Sequence, residues 1–325
     1  MNVPAVSILV PIYNVSNFIE RCAHSLFRQT FENIEYVFVN DCTQDDSIEK
    51  LQKVIEQYPH RKEWVKIIHH EKNRGLAAAR NTAIDNSTGK YIQHIDSDDW
   101  IEPDMIEQMY NKAETEQADI VVCDFIIEKK NTKEYCRDFV PSKQEDYFFT
   151  AISCKGYGYL WNKFVSRRLY EIPECRSVEG LNVLEDRQVS TRLYFHAQKI
   201  VVINTCFYHY DKSNNNAITA SKTKMHYENI ILFHKLLEDF LIEKGLWEKY
   251  KQYVDWSKAT LKIQLFLTTK EYKLRKKYGN LYRDVELKYL NEWQKGAKIM
   301  IIFTHFKLHY LAHLVVKYIQ WKNNV

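Results

Sequence analysis

The chain is poor in the residues that interrupt structure, with 8 glycines and 6 prolines among 325 residues. That excludes collagen-like and linker-dominated chains. Its 7 cysteines include no Cys-x-x-Cys pair, which argues against a zinc ribbon or a thioredoxin-type motif. The odd count and irregular spacing predict reduced thiols and a cytoplasmic protein. No uninterrupted apolar run reaches the ~18 residues of a membrane span. The opening Met1-Asn2-Val3-Pro4-Ala5 lacks the basic start of a secretory signal. Neither Gly-x-x-x-x-Gly-Lys-Ser/Thr nor Gly-x-Gly-x-x-Gly occurs. The first absence excludes a P-loop ATPase and the second disfavours a dehydrogenase.

Excess charge is also small, at 46 basic against 42 acidic residues for a net of +4. The balance hides a division. From Asp211 onward there are 21 basic and 11 acidic residues, which leaves 25 and 31 before it. An acidic part and a basic part suggest different partners. At 45% hydrophobic and 27% charged residues, a folded chain with a sizeable core is expected.

Strands and helices alternate through the first part. Strands are predicted at 5–12, 34–39, 64–69 and 91–95, and helices at 16–29, 45–58 and 76–86, with Ser16 as an N-cap. A helix at 103–117 and a strand at 119–127 follow, then a polar hairpin and loop to Lys155. A helix at 181–196 and a strand at 199–210 complete this part. Such alternation indicates βαβ units and a mostly parallel sheet, with ligands outside the carboxyl ends of its strands. Those ends read Pro11-Ile12-Tyr13-Asn14, Asn40-Asp41, His69-His70 and Asp96-Ser97-Asp98-Asp99. Beyond Thr223 the pattern is helical. A boundary in the polar stretch after Asp211 separates residues 1–215 from 216–325.

Four constellations carry candidate chemistry. Asp96-Ser97-Asp98 follows an apolar strand; two carboxylates one residue apart suit a hard cation and its phosphates, or an acidic capped turn. Asp41 can accept from a base or ribose, or form an Asx-turn. Arg80 lies inside a helix that opens on Asn73-Arg74-Gly75; its planar fork suits phosphate, or simply solvent. Glu185-Asp186 opens a helix, as a dipole partner or as a general base.

Together these residues resemble family 2 glycosyltransferases over roughly residues 5–210, with six segments in the family's order. Val6 to Asn14, Val39 to Asp45, Asn73-x-Gly75 with Ala79-Arg80-Asn81, Asp96 to Trp100, Leu160-Trp161-Asn162-Lys163 and Glu185-Asp186 each match one. The second departs from the common form, which has Gly where Cys42 stands. The resemblance implies an α/β nucleotide-diphospho-sugar transferase (GT-A) fold, a Rossmann-like mixed and mainly parallel sheet, followed by an α-helical C-terminal region. It implies an inverting transferase with a nucleotide-sugar donor, most often a UDP-sugar, and a divalent cation, Mn²⁺ or Mg²⁺. Pro11, Tyr13, Asn14, Asp41, Asn73, Gly75, Arg80, Asp96, Ser97 and Asp98 would hold the donor, with Asp98 on the metal and Arg80 on phosphate or ribose. Asp186 would be the base. Glu185, Trp161 and Lys163 would meet the acceptor, a glycan or lipid-linked hydroxyl, although Trp161 also fits a core and Lys163 a surface. His209 fits a core better than a metal shell. The Arg common after the last aromatic strand is absent, because Asp211 stands there.

The basic end is of another kind. Lys270 to Lys277 is strongly charged, and Gln294 to Lys322 mixes apolar and aromatic residues with lysines. Such helices either lie peripherally on an anionic membrane or pack on protein. Nucleic acid is not expected, because no reader motif accompanies the charge. The function expected is synthesis of a surface glycan such as lipopolysaccharide or capsule. A sugar-nucleotide nucleotidyltransferase would need a Gly-rich, Arg-bearing loop after the first strand. A non-catalytic membrane scaffold would turn over no donor.

Overall fold

The computed structural model describes residues 3–138, 141, 143, 146–153, 156–214, 224–283, 287 and 295–323. They divide into two compact units, Met1–Phe233 and His234–Val325. Of the polar stretch where a boundary is expected, residues 215–223 lie outside the described residues.

The first unit opens with β1 (Val6–Ile12), α1 (Ile19–Phe27), β2 (Ile34–Asn40), α2 (Ser47–Glu56), α3 (Pro59–Lys62), β3 (Val65–His69), α4 (Leu76–Asp85) and β4 (Tyr91–His94). β1 is buried throughout and β2 at all but its last residue. Burial on both faces is why they read as apolar runs rather than alternations. α1 covers them with Ile19, Cys22, Ala23, Leu26 and Phe27, and α2 with Ile48, Leu51, Val54 and Ile55. Each large apolar side chain so buried contributes roughly 1.5–3 kcal/mol.

The start of α1 differs from expectation. Phe18 is the N-cap and no side chain caps it. Ser16 is drawn to α2 instead: its hydroxyl bonds Asp46 and receives the Lys50 Nζ at 2.7 Å, and its amide donates to Asp45 at 2.9 Å. Two carboxylates from the neighbouring turn outcompete the local cap.

β5 (Trp100–Ile101), α5 (Met105–Glu116), β6 (Ile120–Lys129), β7 (Thr132–Cys136), α6 (Asp146–Ile152), β8 (Lys163–Ser166), α7 (Arg167–Tyr170), α8 (Glu185–His196) and β9 (Ile200–Asp211) follow. The nine strands form one sheet in the order β3-β2-β1-β4-β8-β6-β9-β5, with β7 on β6. β3, β2, β1 and β4 are parallel. β8 runs antiparallel between β4 and β6, and β9 is parallel to β6. This is the mixed, mainly parallel sheet that the sequence predicts. β6 and β7 form a hairpin, but α6 stands where the sequence predicts loop, its Tyr147, Phe148, Ala151 and Ile152 buried; residues 139, 140, 142, 144, 145, 154 and 155 lie outside the described residues.

α9 (Lys224–Glu243) leads into the second unit, which holds α10 (Trp247–Thr268), α11 (Tyr272–Gly279), α12 (Lys295–His305) and α13 (His309–Asn323). Its small core joins Ile263 and Phe266 of α10 to Met300 and Ile301 of α12 and to Ala312 and Val316 of α13. Among the described residues no helix is long and apolar enough to cross a membrane.

Candidate active site

A cavity of about 690 Å³ opens at the carboxyl ends of the parallel strands. β1 and its turn supply Pro11, Tyr13 and Asn14, β2 is followed by Asp41, and the approach to α4 supplies Asn73 and Gly75. Arg80 comes from α4 itself, and Asp96, Ser97 and Asp98 from the turn after β4. Glu185 and Asp186 enter from the first turn of α8, and Trp161 from just before β8. Lys163 does not line this space.

Asp41 is 3% exposed. Its Oδ1 accepts from the Arg74 amide at 2.8 Å and meets His70 Nδ1 at 2.7 Å, while its Oδ2 accepts from the Gly75 amide at 2.8 Å. Thr82 Oγ1 lies 2.9 Å from the other ring nitrogen of His70. A hydroxyl donating there leaves Nδ1 to donate to the carboxylate. These donors fix the turn before α4 and leave Oδ2 a further lone pair. Gly75 has φ +89°, a conformation that calls for glycine, and a Cβ on it would stand 2.5 Å from Asn182 Oδ1 and push that side chain aside. Cys42, where the resembled family commonly has Gly, keeps the left-handed conformation at φ +59°. Its thiol points toward the Glu71 carbonyl, 3.7 Å away.

Arg80 is the hub of the site and is 1% exposed. Its Nη1 donates to Glu185 at 2.7 Å and to Asp186, and its Nη2 donates to Asp96 at 2.9 Å. Burial works against its charge, but Asp186, Asp96 and Glu185 outweigh it and hold the guanidinium above its ordinary pKa. The balance differs for Asp186. Burial pushes its carboxyl well above the usual range; Arg80 opposes this, and Glu185 and Asp96 add to it. Three carboxylates around one cation leave a net negative site with high proton affinity.

The turn after β4 gathers more carboxylates. Asp98 is pushed up to about 6 by burial and by Asp96, against a hydrogen bond from Asn214. That bond, Asn214 Nδ2 to Asp98 Oδ2, is 2.8 Å. Asp99 is fully buried, accepting from the Tyr208 hydroxyl at 2.6 Å and the Asp211 amide at 2.8 Å. Tyr208 in turn accepts from the Asp96 amide at 3.1 Å. Asp211 pairs with Arg21 of α1 at 2.6 Å; Arg21 also donates to the Asp98 carbonyl at 2.7 Å and covers Trp100 at 3.8 Å. An arginine thus supports this turn from a different element than the sequence led one to seek. Among the described residues no three His, Cys, Asp or Glu side chains gather as a closed metal site. Asp98 beside Asp96 fits a Mg²⁺ or Mn²⁺ that completes its shell with phosphate oxygens and water.

A model of the family described as glycosyl transferase family 2 matches residues 7–165. The putative glycosyltransferase EpsH of Bacillus subtilis (strain 168) is 34% identical over 262 residues, 78% of this chain and 74% of that one. The chain belongs to glycosyltransferase family 2. Solved structures agree on the fold. S. aureus TarS residues 1–349, in complex with UDP-GlcNAc, superposes with a TM-score of 0.69 at 17% identity over 98% of this chain and 92% of that one. A mannosyltransferase from Pyrobaculum calidifontis, in complex with GDP-Man and Mn²⁺, gives 0.51 at 13% over 97% and 88%. The fold is therefore GT-A and the protein a glycosyltransferase, which sets aside the nucleotidyltransferase and scaffold readings.

Within this family 2 site Lys163 and Arg80 stand otherwise than the sequence suggested, and Trp161 takes its core alternative. Trp161 is 1% exposed and lies between Tyr159 and Tyr208, stacked at 4.5 and 4.2 Å, with Phe125 edge-on. Its faces are taken, so it offers the cavity an edge and not a platform for a sugar ring. Lys163 is wholly buried, and its Nζ donates to the Tyr157 carbonyl at 3.2 Å, to the Tyr159 carbonyl and to Asn162 Oδ1 at 2.8 Å. It ties down the segment before β8 and meets no acceptor. Arg80 is committed to carboxylates rather than open to phosphate. His209 lies off the cavity, bracketed by Glu102 and Glu128 at 2.8 and 2.9 Å and stacked on Trp100. The sequence reading missed Asn182 and Asn214, both on the cavity wall. Asn214 stood in a stretch that reads as a linker, and only the fold brings it to Asp98.

Proposed function

We propose that the protein transfers a sugar from a nucleotide-sugar, expected from the family resemblance to be a UDP-sugar, to a hydroxyl of a glycan or lipid-linked acceptor, inverting the anomeric carbon. The setting is synthesis of a surface polysaccharide such as lipopolysaccharide or capsule, at the cytoplasmic face of the membrane. The observation that carries this reading is the bridge through Arg80, which joins Asp96 of the donor turn to Asp186 of α8 on one cavity wall. The donors held by TarS and by the Pyrobaculum enzyme support a nucleotide-sugar, and the Mn²⁺ of the latter supports a cation.

Asp41 offers its remaining lone pair to a uracil N–H. Pro11, Tyr13, Asn14, Asn73 and Gly75 surround the nucleoside, and Asp96 and Ser97 face the ribose. Asp98 would hold a divalent cation, which would supply Lewis-acid stabilisation of the departing diphosphate. Arg80 aims Asp186 through its hydrogen bond and opposes the protonation that burial favours. Asp186 takes the acceptor's proton as its oxygen attacks the anomeric carbon opposite the leaving group. The donor's C–O bond breaks, its electron pair leaves with the diphosphate, and the proton stays on Asp186. Burial and the neighbouring carboxylates favour that protonated product. Glu185 positions the acceptor.

Asp186→Asn tests this. Transfer should fall by about 10²–10⁴, while UDP binding with Mn²⁺, measured by calorimetry, should remain. Loss of binding along with transfer would assign Asp186 to the donor instead.

A further inference from the structure

From Lys295 to the end the chain has five lysines and no aspartate or glutamate. α11 likewise carries Lys273, Arg275, Lys276 and Lys277 without an acid. α13 presents two apolar faces. One packs Ala312 and Val316 into the core of the second unit. The other, at helical spacing, leaves Tyr310, Leu311, Leu314 and Tyr318 between 42% and 61% exposed, and the turn before it adds Phe306 and Leu308. An amphipathic helix needs only one apolar face to fold. The second stripe adjoins the basic helix: Tyr310 meets Tyr272 edge-on at 6.0 Å, and Tyr272 opens α11, whose Lys273, Lys276 and Lys277 are exposed. Lys307 and Lys317 are exposed beside the stripe.

We propose that this face of α11 and α13 docks on an anionic lipid surface, with α13 lying in the plane of the interface. α13 has 15 residues, too few to span a bilayer, which takes roughly 20. Its tyrosines pair an apolar ring with a hydroxyl for the headgroup region. The lysines face lipid phosphates, and each strengthens such binding by about fivefold. A second copy of the chain is the rival occupant. A twofold contact sets a patch against itself, so Lys307 and Lys317 would oppose a patch that has no carboxylate in α12 or α13 to answer them. That charge pattern favours phosphate. The inference rests on the lipid-linked acceptor reading only for its use, which is to hold the donor site near a lipid-borne hydroxyl.

The test is flotation of the full chain with vesicles of phosphatidylcholine, alone or mixed with phosphatidylglycerol. Binding is expected to the mixed vesicles only, with release by salt. The Lys273→Glu/Lys276→Glu/Lys277→Glu variant should bind at least about 100-fold more weakly. Leu311→Ser/Leu314→Ser should also lose binding, and both variants should keep the wild-type melting temperature. Equal binding to both vesicles, binding to neither, or binding unchanged in both variants overturns the proposal. So does a wild-type dimer that Leu311→Ser/Leu314→Ser converts to monomer. Hydrolysis of a UDP-sugar without lipid, measured on the same proteins, reports separately on the active-site reading.

Discussion

Arg80 and Lys276 are both cations on helices, yet they stand in opposite surroundings. Arg80 is 1% exposed and touches three carboxylates, whereas Lys276 is exposed on a helix with no acid. The contrast extends to their units. Asp41, Asp99 and Glu185 are buried with named partners, and Lys273, Lys277, Lys307 and Lys317 face solvent. Buried charges must be matched one by one, because an unpaired one costs several kcal/mol. They therefore fix particular atoms in place. Exposed charges act as a field, and each can stand in for another. Chemistry that needs one atom in one place belongs to the first arrangement, and attachment to a broad anionic surface to the second.

The widest test of that contrast is Arg80→Ala against Lys276→Ala. Losing Arg80 leaves three carboxylates facing one another, so transfer should drop by about 10³ or more and stability by roughly 3–5 kcal/mol. Lys276→Ala should stay within about 0.5 kcal/mol and keep its rate on a soluble acceptor. Comparable losses in both, by rate assay and thermal melt, would erase the distinction.

Asp98→Asn comes next and should separate function from stability. Transfer should fall on the order of 10²–10³. The Asp98 carboxyl is pushed up to about 6 from an ordinary 3.8, so the folded state favours its protonated form. The stability this contributes is present below about 4 and lost as pH rises through about 6. Without a cation, ionised Asp98 destabilises the protein by about 3 kcal/mol at neutral pH. In chelator, Asp98→Asn should therefore melt higher than wild type near pH 7, and the gap should close toward about pH 4. A gap independent of pH would break the assignment.

Lys163→Met should be smaller still. It leaves two partly buried carbonyls and the buried Asn162 oxygen without their donor, a loss of about 1–3 kcal/mol. Donor binding should hold, because Lys163 does not reach the cavity. Weakened UDP binding in a folded variant would return Lys163 to the site.

Much of the first unit was legible because its signals are local. A buried strand followed by a polar turn reads the same in sequence and in space, and four such turns line the cavity. What failed to read was direction. Trp161 and Lys163 precede or open β8, and β8 enters the sheet antiparallel between β4 and β6. Whether their side chains meet core or cavity depends on neighbours more than 30 residues away in the chain, such as Phe125 and Tyr208 around Trp161 and Tyr194 beside Lys163. Arg80 looked free for phosphate because Glu185 and Asp186, over 100 positions on, leave no mark on its helix. Asn214 and Arg21 were hidden in the same way.

Cys42 makes the finest test of how tightly the first unit is specified. A side chain at φ +59° costs an L-residue about 1–2 kcal/mol, and Cys42→Gly would recover that. The same change frees the unfolded chain, which offsets roughly 0.5–1 kcal/mol, and it removes the thiol's contact near Glu71. The terms nearly cancel, so a stability change within about 0.5 kcal/mol is expected by denaturant melt. UDP binding should not change, because the catalytic groups hold their places through Asp41 and Arg80 and the thiol touches neither. If Cys42→Gly weakens UDP tenfold while its melt is unchanged, the thiol itself contacts the donor. This turn would then work through a side chain where the family commonly has none.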